Sequence, residues 1–133
     1  MTFVDSNIPM YLVGAAHPHK TEAQILLERL IAAGERLVTD AEVLQEILHR
    51  YTAIDRRDAI APVLQSVLGI VDEVFPVEKA DALRAAEIVQ SSAGMSARDA
   101  LHLAVMERHA VPSILSFDAD FDRWTRVKRI HQI

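Results

Sequence analysis

The chain has 133 residues, of which 50% are hydrophobic and 25% charged, so it holds enough apolar material for one domain with a substantial core. It contains no cysteine, which excludes disulfides, thiolate nucleophiles and cysteine zinc sites and suits a reducing compartment such as the cytoplasm. The net charge of −5 argues weakly against a nucleic-acid partner, although carboxylates that hold a metal ion contribute to this charge and are offset locally by the ion.

The N-terminus lacks a basic leader, and no apolar run approaches the about 20 residues of a membrane helix. Neither a signal peptide nor membrane anchoring is therefore expected. The pattern contains no linker and no repeat of fixed period, which predicts one domain over residues 1–133.

The first part of the chain alternates short apolar runs, which predict strands, with longer segments of helical periodicity. In chain order these predict a strand at 1–4, a helix at 20–33, a strand at 36–39 and helices at 40–51 and 56–69. Gly34 is a natural end for the first helix. Thr39 and Glu42 have the spacing of a capping box at the start of the second helix, and Pro62 is expected to bend or split the third.

The second part continues the same alternation. It predicts a strand at 71–77, helices at 78–91 and 97–109, a strand at 113–116, a polar turn and a last strand at 127–131. Gly94 separates the two helices, and Ser96 and Asp99 again have capping-box spacing. Strands that alternate with helices from end to end indicate an α/β protein with a mainly parallel sheet covered on both faces.

Functional groups of such sheets gather beyond the carboxyl ends of the strands, and two acids occupy such positions. Asp5 ends the first strand, and Asp118 follows the strand at 113–116. Each acid also has an ordinary structural explanation, because an aspartate in such a turn often caps the next helix.

Two further acids lie on the predicted helices. Glu46 flanks the buried stripe of its helix, where it faces either a cleft or solvent, paired with Arg50. Asp99 opens its helix, either as the partner of Ser96 in a cap or as a group that reaches into a cleft. If all four acids converge, a cation or protonation must offset their repulsion, and oxygen ligands without cysteine suit Mg²⁺ or Mn²⁺.

Three segments, in this order, resemble the PIN domain, and most closely the toxin ribonucleases of VapBC-type toxin–antitoxin pairs. They are FVDSN at 3–7, VTDAEVLQEILHRY at 38–51 and SARDALHLAVMERHAVPSILSFDADFDRW at 96–124. The resemblance covers essentially the whole chain. It implies a three-layer α/β/α sandwich with a mainly parallel central sheet of about five strands.

The resemblance also implies a function and a site. Proteins of this kind hydrolyse RNA phosphodiester bonds as metal-dependent endoribonucleases, and they form homodimers and bind a cognate VapB-type antitoxin that occludes the cleft. The family's acids match four residues here, the expected catalytic residues and ligands of Mg²⁺ or Mn²⁺: Asp5, Glu46, Asp99 and Asp118. Residues that could orient these acids or assist them are Ser6, Asn7, Ser116, Asp120 and Asp122.

Three details depart from the commonest family pattern or leave an alternative open. Ser116 stands where threonine is usual, which keeps a hydroxyl. His102 stands where many members carry an apolar or small residue, and it either lines the cleft or is simply buried. Glu42 lies one turn before Glu46 and is a rival for the role of the helix glutamate.

Other interpretations remain open at the level of sequence. A phosphatase whose first-strand aspartate is a nucleophile needs a second acid where this chain has Asn7. A PIN-like domain without activity, used only to bind protein or RNA, is the main alternative. Basic residues near the end either follow an RNA backbone or protect an edge strand from pairing; they are Arg123, Arg126, Lys128 and Arg129.

Overall fold

Strands and helices alternate along the chain in the computed structural model, which describes residues 1–132; Ile133, the last residue of the predicted domain, lies outside the described residues. The strands are β1 (Thr2–Val4), β2 (Leu37–Asp40), β3 (Glu73–Phe75), β4 (Ser113–Leu115) and β5 (Lys128–Ile130). The α-helices are α1 (Asn7–Val13), α2 (Pro18–Ala32), α3 (Ala41–Ala53), α4 (Ile60–Ile70), α5 (Lys79–Ser91) and α6 (Ala97–Arg108). Short 3₁₀ helices lie at Arg57–Ala59 and Ala119–Arg123.

Within residues 1–132, the strands form one five-stranded sheet in the order β3-β2-β1-β4-β5, and every neighbouring pair is parallel. The central strand is β1, where Phe3 pairs with Val38 of β2 on one side and with Ile114 of β4 on the other. Because all strands run the same way, their carboxyl ends meet at one edge of the sheet, and the residues that follow β1, β2 and β4 are neighbours there.

The core is divided by the sheet into two apolar clusters. Successive residues of β1 point to opposite faces, and Phe3 belongs to the larger cluster whereas Val4 belongs to the smaller one. Helices α3 to α6 supply the larger cluster, and α1 and α2 supply the smaller one. The predicted three-layer α/β/α class is therefore confirmed.

The sequence pattern did not predict α1. Its apolar residues cover only two turns, and Pro9 suggests a turn. In the structure Pro9 is the third residue of α1, in the first turn, where a helix needs no backbone donor. The same reasoning places Pro62 in the first turn of α4, and the segment predicted at 56–69 is divided just before it into the 3₁₀ helix and α4.

The cap of α3 is Asp40, and the capping box predicted from Thr39 is wrong. The Asp40 carboxylate accepts a hydrogen bond of 2.9 Å from the N–H of Val43. The hydroxyl of Thr39 instead donates to the carbonyl of Val4 at 2.8 Å, which ties β2 to β1. This shift places a second buried carboxylate, Asp40, at the functional edge of the sheet.

Helix α2 ends as predicted before Gly34, which has a φ of 74° that glycine adopts without strain. Strand β3 covers only Glu73–Phe75 of the longer segment predicted at 71–77. No helix among residues 1–132 is long and apolar enough to cross a membrane.

Candidate active site

Asp5 follows β1 directly and is only 5% exposed. Its Oδ2 accepts hydrogen bonds from the Ser116 hydroxyl at 2.6 Å and from the Asn7 side-chain amide at 3.3 Å. Its Oδ1 accepts the backbone N–H of Ser6 at 2.8 Å. Burial raises the pKa of Asp5 above its ordinary value, and the positive charge of His102 and the Ser116 hydrogen bond oppose that rise.

The Ser116 hydroxyl joins the loop after β1 to the loop after β4. Besides donating to Asp5, its oxygen accepts the Asn7 side-chain amide at 3.2 Å and the backbone N–H of Asp118 at 3.0 Å. Ser116 is fully buried, so this contact is shielded from water. The same hydroxyl thus binds the carboxylate of Asp5 and the backbone of Asp118.

A group of three carboxylates lies next to this contact. Asp99, Asp118 and Asp120 each offer one oxygen, and these oxygens all lie within 4.8 Å of one another. Asp99 is in the first turn of α6, where its N–H donates to the Ser96 hydroxyl at 3.1 Å. Burial raises the pKa of Asp99 to about 7, with further contributions from the negative charges of Asp5 and Asp118.

Glu46 projects from α3 toward the same edge, and its side chain is 12% exposed. One oxygen, Oε2, accepts the Ser6 hydroxyl at 2.6 Å, and the other, Oε1, lies 2.6 Å from Nε2 of His102. Burial acts to raise the pKa of Glu46, but the hydrogen bond and the charge of His102 outweigh it and lower the pKa. Its observed partners come from the interior, in contrast to an exposed pair with Arg50.

His102 and Asp40 complete the site, and sequence reasoning did not identify Asp40. His102 is fully buried, and its Nδ1 lies 2.8 Å from Oδ2 of Asp40, while its Nε2 contacts Glu46. Burial acts to lower the pKa of His102, but the charges and hydrogen bonds of Asp40 and Glu46 raise it well above the ordinary value. The imidazolium therefore donates to a carboxylate at each nitrogen. Two sequence features could have identified these residues: Asp40 stands at the end of β2, and His102 stands one turn after Asp99.

Not every acid predicted for the site joins it. The carboxylate of Asp122 accepts two hydrogen bonds of 2.9 Å from Arg129, outside the cluster formed by Asp99, Asp118 and Asp120. Arg129 is 9% exposed and also donates to the Ser116 carbonyl at 3.2 Å, so it supports the loop after β4. Arg123 donates to the Gly94 carbonyl at 2.7 Å and likewise has a structural contact.

Glu42 lies on the outer side of Glu46. It is partly exposed, and burial followed by the charge of Glu46 raises its pKa. The sets of clustered ligand atoms in residues 1–132 include Glu46 and do not include Glu42. The geometry therefore favours Glu46 as the helix glutamate of the site.

The four predicted carboxylates lie in two neighbouring groups at the edge of the sheet, Asp5 with Glu46 and Asp99 with Asp118. Oxygens of Asp5 and Glu46 lie within 4.8 Å of each other, and the charge of Asp5 also acts on Asp99, which lies beside Asp118. Hard oxygen donors and concentrated negative charge are the donor set of a divalent cation site. His102 has both nitrogens engaged by carboxylates, so the donors that fit the ion are the carboxylates themselves.

Comparison with known proteins gives a family match and relatives that cover almost the whole chain. A family model described as the PIN domain matches residues 2–127. Ribonuclease VapC13 of Mycobacterium tuberculosis is 56% identical over 130 residues, which cover 98% of this chain and 99% of the relative. Ribonuclease VapC23 of the same species is 40% identical over 118 residues, which cover 89% of this chain and 93% of the relative.

A solved toxin–antitoxin complex from Klebsiella pneumoniae contains a chain of similar structure. The TM-score is 0.71 at 17% sequence identity, and the match covers 100% of both chains. At this identity the likeness concerns the fold, including the sheet edge on which the carboxylates are placed.

Proposed function

The chain belongs to the PIN domain family, and on this premise we propose that it is an endoribonuclease that hydrolyses RNA phosphodiester bonds, the toxin of a toxin–antitoxin pair. The relationship to a ribonuclease over nearly the whole length of both chains supports the activity. The observation that carries the proposal is the meeting of four acids from distant parts of the sequence: Asp5, Glu46, Asp99 and Asp118. The proposal takes residues 1–133 as one PIN domain.

We infer that these four carboxylates hold Mg²⁺ or Mn²⁺, with Asp120 in reach as an additional acid. A bound ion of this kind lowers the pKa of a coordinated water and stabilises charge on phosphoryl oxygens. The absence of cysteine from the chain and the engagement of His102 by two carboxylates favour such hard cations over zinc.

The chain's own polar residues hold these carboxylates in fixed directions. Ser116 and Asn7 donate to Asp5, and Ser6 and His102 donate to Glu46. Asp5 and Glu46 are therefore oriented before substrate arrives, which is the arrangement that keeps the cost of reorganisation low. Asp122 keeps only a supporting role in this scheme, because Arg129 engages it.

The proposal includes the partners that accompany this activity. The substrate is RNA, which the protein would meet in the cytoplasm. A VapB-type antitoxin would cover the carboxylate cleft, and two copies of this chain would form a homodimer. The toxin–antitoxin complex that shares the fold supports the expectation of an antitoxin.

The test is cleavage of RNA by the purified protein with Mg²⁺ or Mn²⁺, with and without EDTA. Asp5→Asn and Asp99→Asn should each lower the rate by more than about 100-fold, since even residues that only orient metal ligands commonly contribute about 10- to 100-fold. Asp58→Asn is the matched control, because its carboxylate is exposed in the 3₁₀ helix beyond the far end of α3. It should cleave like the wild type.

The outcomes separate the alternatives. Cleavage that survives in both Asp5→Asn and Asp99→Asn would eliminate the proposed site. A wild-type protein that binds RNA or an antitoxin without cleaving RNA would instead be the inactive binding domain that the sequence left open.

A further inference from the structure

Four ring side chains gather in one cluster, which we call the ring cluster: Tyr11, His17, His19 and Phe117. His19 stacks on Phe117, with ring centroids 4.2 Å apart and planes 16° apart, and Tyr11 stacks on His17 at 4.7 Å and 29°. Tyr11 makes edge contacts with two other rings: its centroid lies 5.1 Å from that of His19 and 5.6 Å from that of Phe117. The two stacked pairs adjoin, because the planes of His17 and His19 are tilted by 35° with centroids 5.1 Å apart.

The ring cluster borders the carboxylates. Phe117 lies between Ser116 and Asp118 in the sequence, and its backbone N–H donates to the Asn7 side chain at 3.5 Å. Tyr11 follows Asn7 by four residues on α1, so both side chains lie on the same face of that helix. The rings thus begin within one helical turn of a residue that holds Asp5.

The rings are not a part of the closed core. Phe117 packs against the smaller apolar cluster, but His17 is exposed and the side chain of His19 is 36% exposed. His19 is therefore the outer ring of a stack whose inner ring, Phe117, is anchored beside the acids. His19 also contacts the ring of His17, with centroids 5.1 Å apart, and its Nδ1 lies 3.3 Å from the Glu22 carboxylate. The exposed part of the His19 ring is the surface that could receive one more planar group.

We propose that the ring cluster is a stacking platform for an unpaired nucleobase of the RNA substrate, with His19 as the ring that contacts the base. This inference rests on the proposed function for the identity of its ligand. Proteins read single-stranded RNA by stacking splayed bases on aromatic rings, and such stacking tolerates any base because every base has a π-face. The platform would hold the base next to the phosphodiester that is hydrolysed at the carboxylates.

The test is binding of a fluorescent single-stranded oligoribonucleotide of mixed sequence, measured by fluorescence anisotropy in an Asp99→Asn background that suppresses cleavage. His19→Ala should raise Kd about tenfold, in the range known for one stacked base. His19→Phe keeps a ring and loses the imidazole, so its Kd should stay within about twofold of the background protein. Trp124→Leu is the control and should leave Kd unchanged. Trp124 is another partly exposed ring, and it lies beside Pro112, at the opposite end of β4 from Ser116.

A second probe separates the base from the backbone. An abasic oligoribonucleotide of the same length should bind equally to the background protein and to His19→Ala. If His19→Ala weakens both probes equally, His19 contacts phosphate or sugar, and the platform is wrong. Unchanged Kd in His19→Ala with the base-bearing probe overturns it as well, and in that case a ring from a protein partner becomes the favoured occupant.

Failure of the proposed function gives a different result. A wild-type protein that binds the base-bearing probe through His19 but does not cleave it would contradict the nuclease and leave the platform in place. A protein that cleaves RNA while His19→Ala keeps the Kd of the background protein would support the nuclease and contradict the platform. Absence of any RNA binding would overturn both.

Discussion

His102 lies between the carboxylates of Asp40 and Glu46; His102 and Asp40 are fully buried, and the side chain of Glu46 is 12% exposed. Removal of one partner from a buried ion pair leaves an uncompensated charge and costs about 3–5 kcal/mol of stability. We therefore expect His102→Ala to lower the free energy of unfolding by about 3–5 kcal/mol, measured by urea denaturation at neutral pH. His49→Ala should change it by less than about 0.5 kcal/mol, because His49 is an exposed residue of α3.

A loss below about 1 kcal/mol in His102→Ala would contradict this account of the buried pair. It would mean that water or a rotated side chain compensates the two carboxylates. The same variant frees one oxygen of Glu46, so a shift in the metal concentration needed for half-maximal cleavage is expected beside the loss of stability.

The acids of the site were predictable to different degrees. Asp5 and Asp118 follow buried strands of a parallel sheet, and this position alone brings them to the functional edge. Glu46 is explained equally well as a surface residue and Asp99 as a capping residue. For both, only the family pattern favoured the role in the site. The role of Asp40 was hidden because Thr39 has the same capping chemistry one residue earlier, and a helical pattern does not resolve such a shift.

An ion pair between Asp81 and Arg108 joins the beginning of α5 to the end of α6. Asp81 is 2% exposed, belongs to the capping box of α5, and accepts two hydrogen bonds of 2.8 Å from Arg108. Hydrogen bonds to charged groups contribute about 1.5–3 kcal/mol, so Asp81→Asn should lower the free energy of unfolding by about 2 kcal/mol at neutral pH. Glu87→Gln, which removes a largely exposed partner of Arg84, should cost less than about 0.5 kcal/mol.

The pH dependence of this ion pair has a definite sign. The hydrogen bond from Arg108 holds the pKa of Asp81 below its ordinary value of 3.8. A lowered pKa stabilises the folded protein above the unfolded-state value, and this stability is lost as pH falls through the folded-state value. The difference in free energy of unfolding between wild type and Asp81→Asn should therefore persist from about pH 7 to about pH 5 and become smaller only below about pH 4. If urea denaturation shows this free-energy difference becoming smaller already between about pH 7 and about pH 5, the lowered pKa of Asp81 is wrong.

Most elements were predictable because they carry long periodic patterns and clear caps. Helices α2, α5 and α6 begin and end within a few residues of their predicted limits, and Gly34 and Ser96 mark two of these limits. Helix α1 was not predictable, since a seven-residue helix with a proline has too short a pattern, and its position is decided by packing of Ile8 in the smaller apolar cluster. Tertiary contacts also shorten β3, whose pairing with β2 ends at Phe75.

At the scale of the whole molecule, the strand order determines how the acids meet. The central strand β1 carries Asp5 between the ends of β2 and β4, and the helices that follow β2 and precede β4 supply Glu46 and Asp99. The resulting concentration of negative charge opposes folding until a cation or a proton offsets it.

A divalent ion that binds the folded protein alone should therefore stabilise it. We expect Mn²⁺ at about 100 times its Kd to add about 2.7 kcal/mol to the free energy of unfolding and to raise the melting temperature. Asp5→Asn and Asp99→Asn should lose most of this increase, whereas Asp58→Asn should keep it. The measurement is thermal unfolding with Mn²⁺ against NaCl of equal ionic strength. An increase of the same size in Asp5→Asn would place the ion elsewhere on the molecule.

The connection between α5 and α6 divides the four carboxylates of the proposed site into two sets. Asp5 and Glu46 precede it, and Asp99 and Asp118 follow it, while β1 and β4 on either side of the division lie next to each other in the sheet. A gene cut at this connection would encode two fragments, neither of which holds all four carboxylates. The full set would form again only when the fragments associate along those two strands, so the fold contains a cut point for a split-protein reporter.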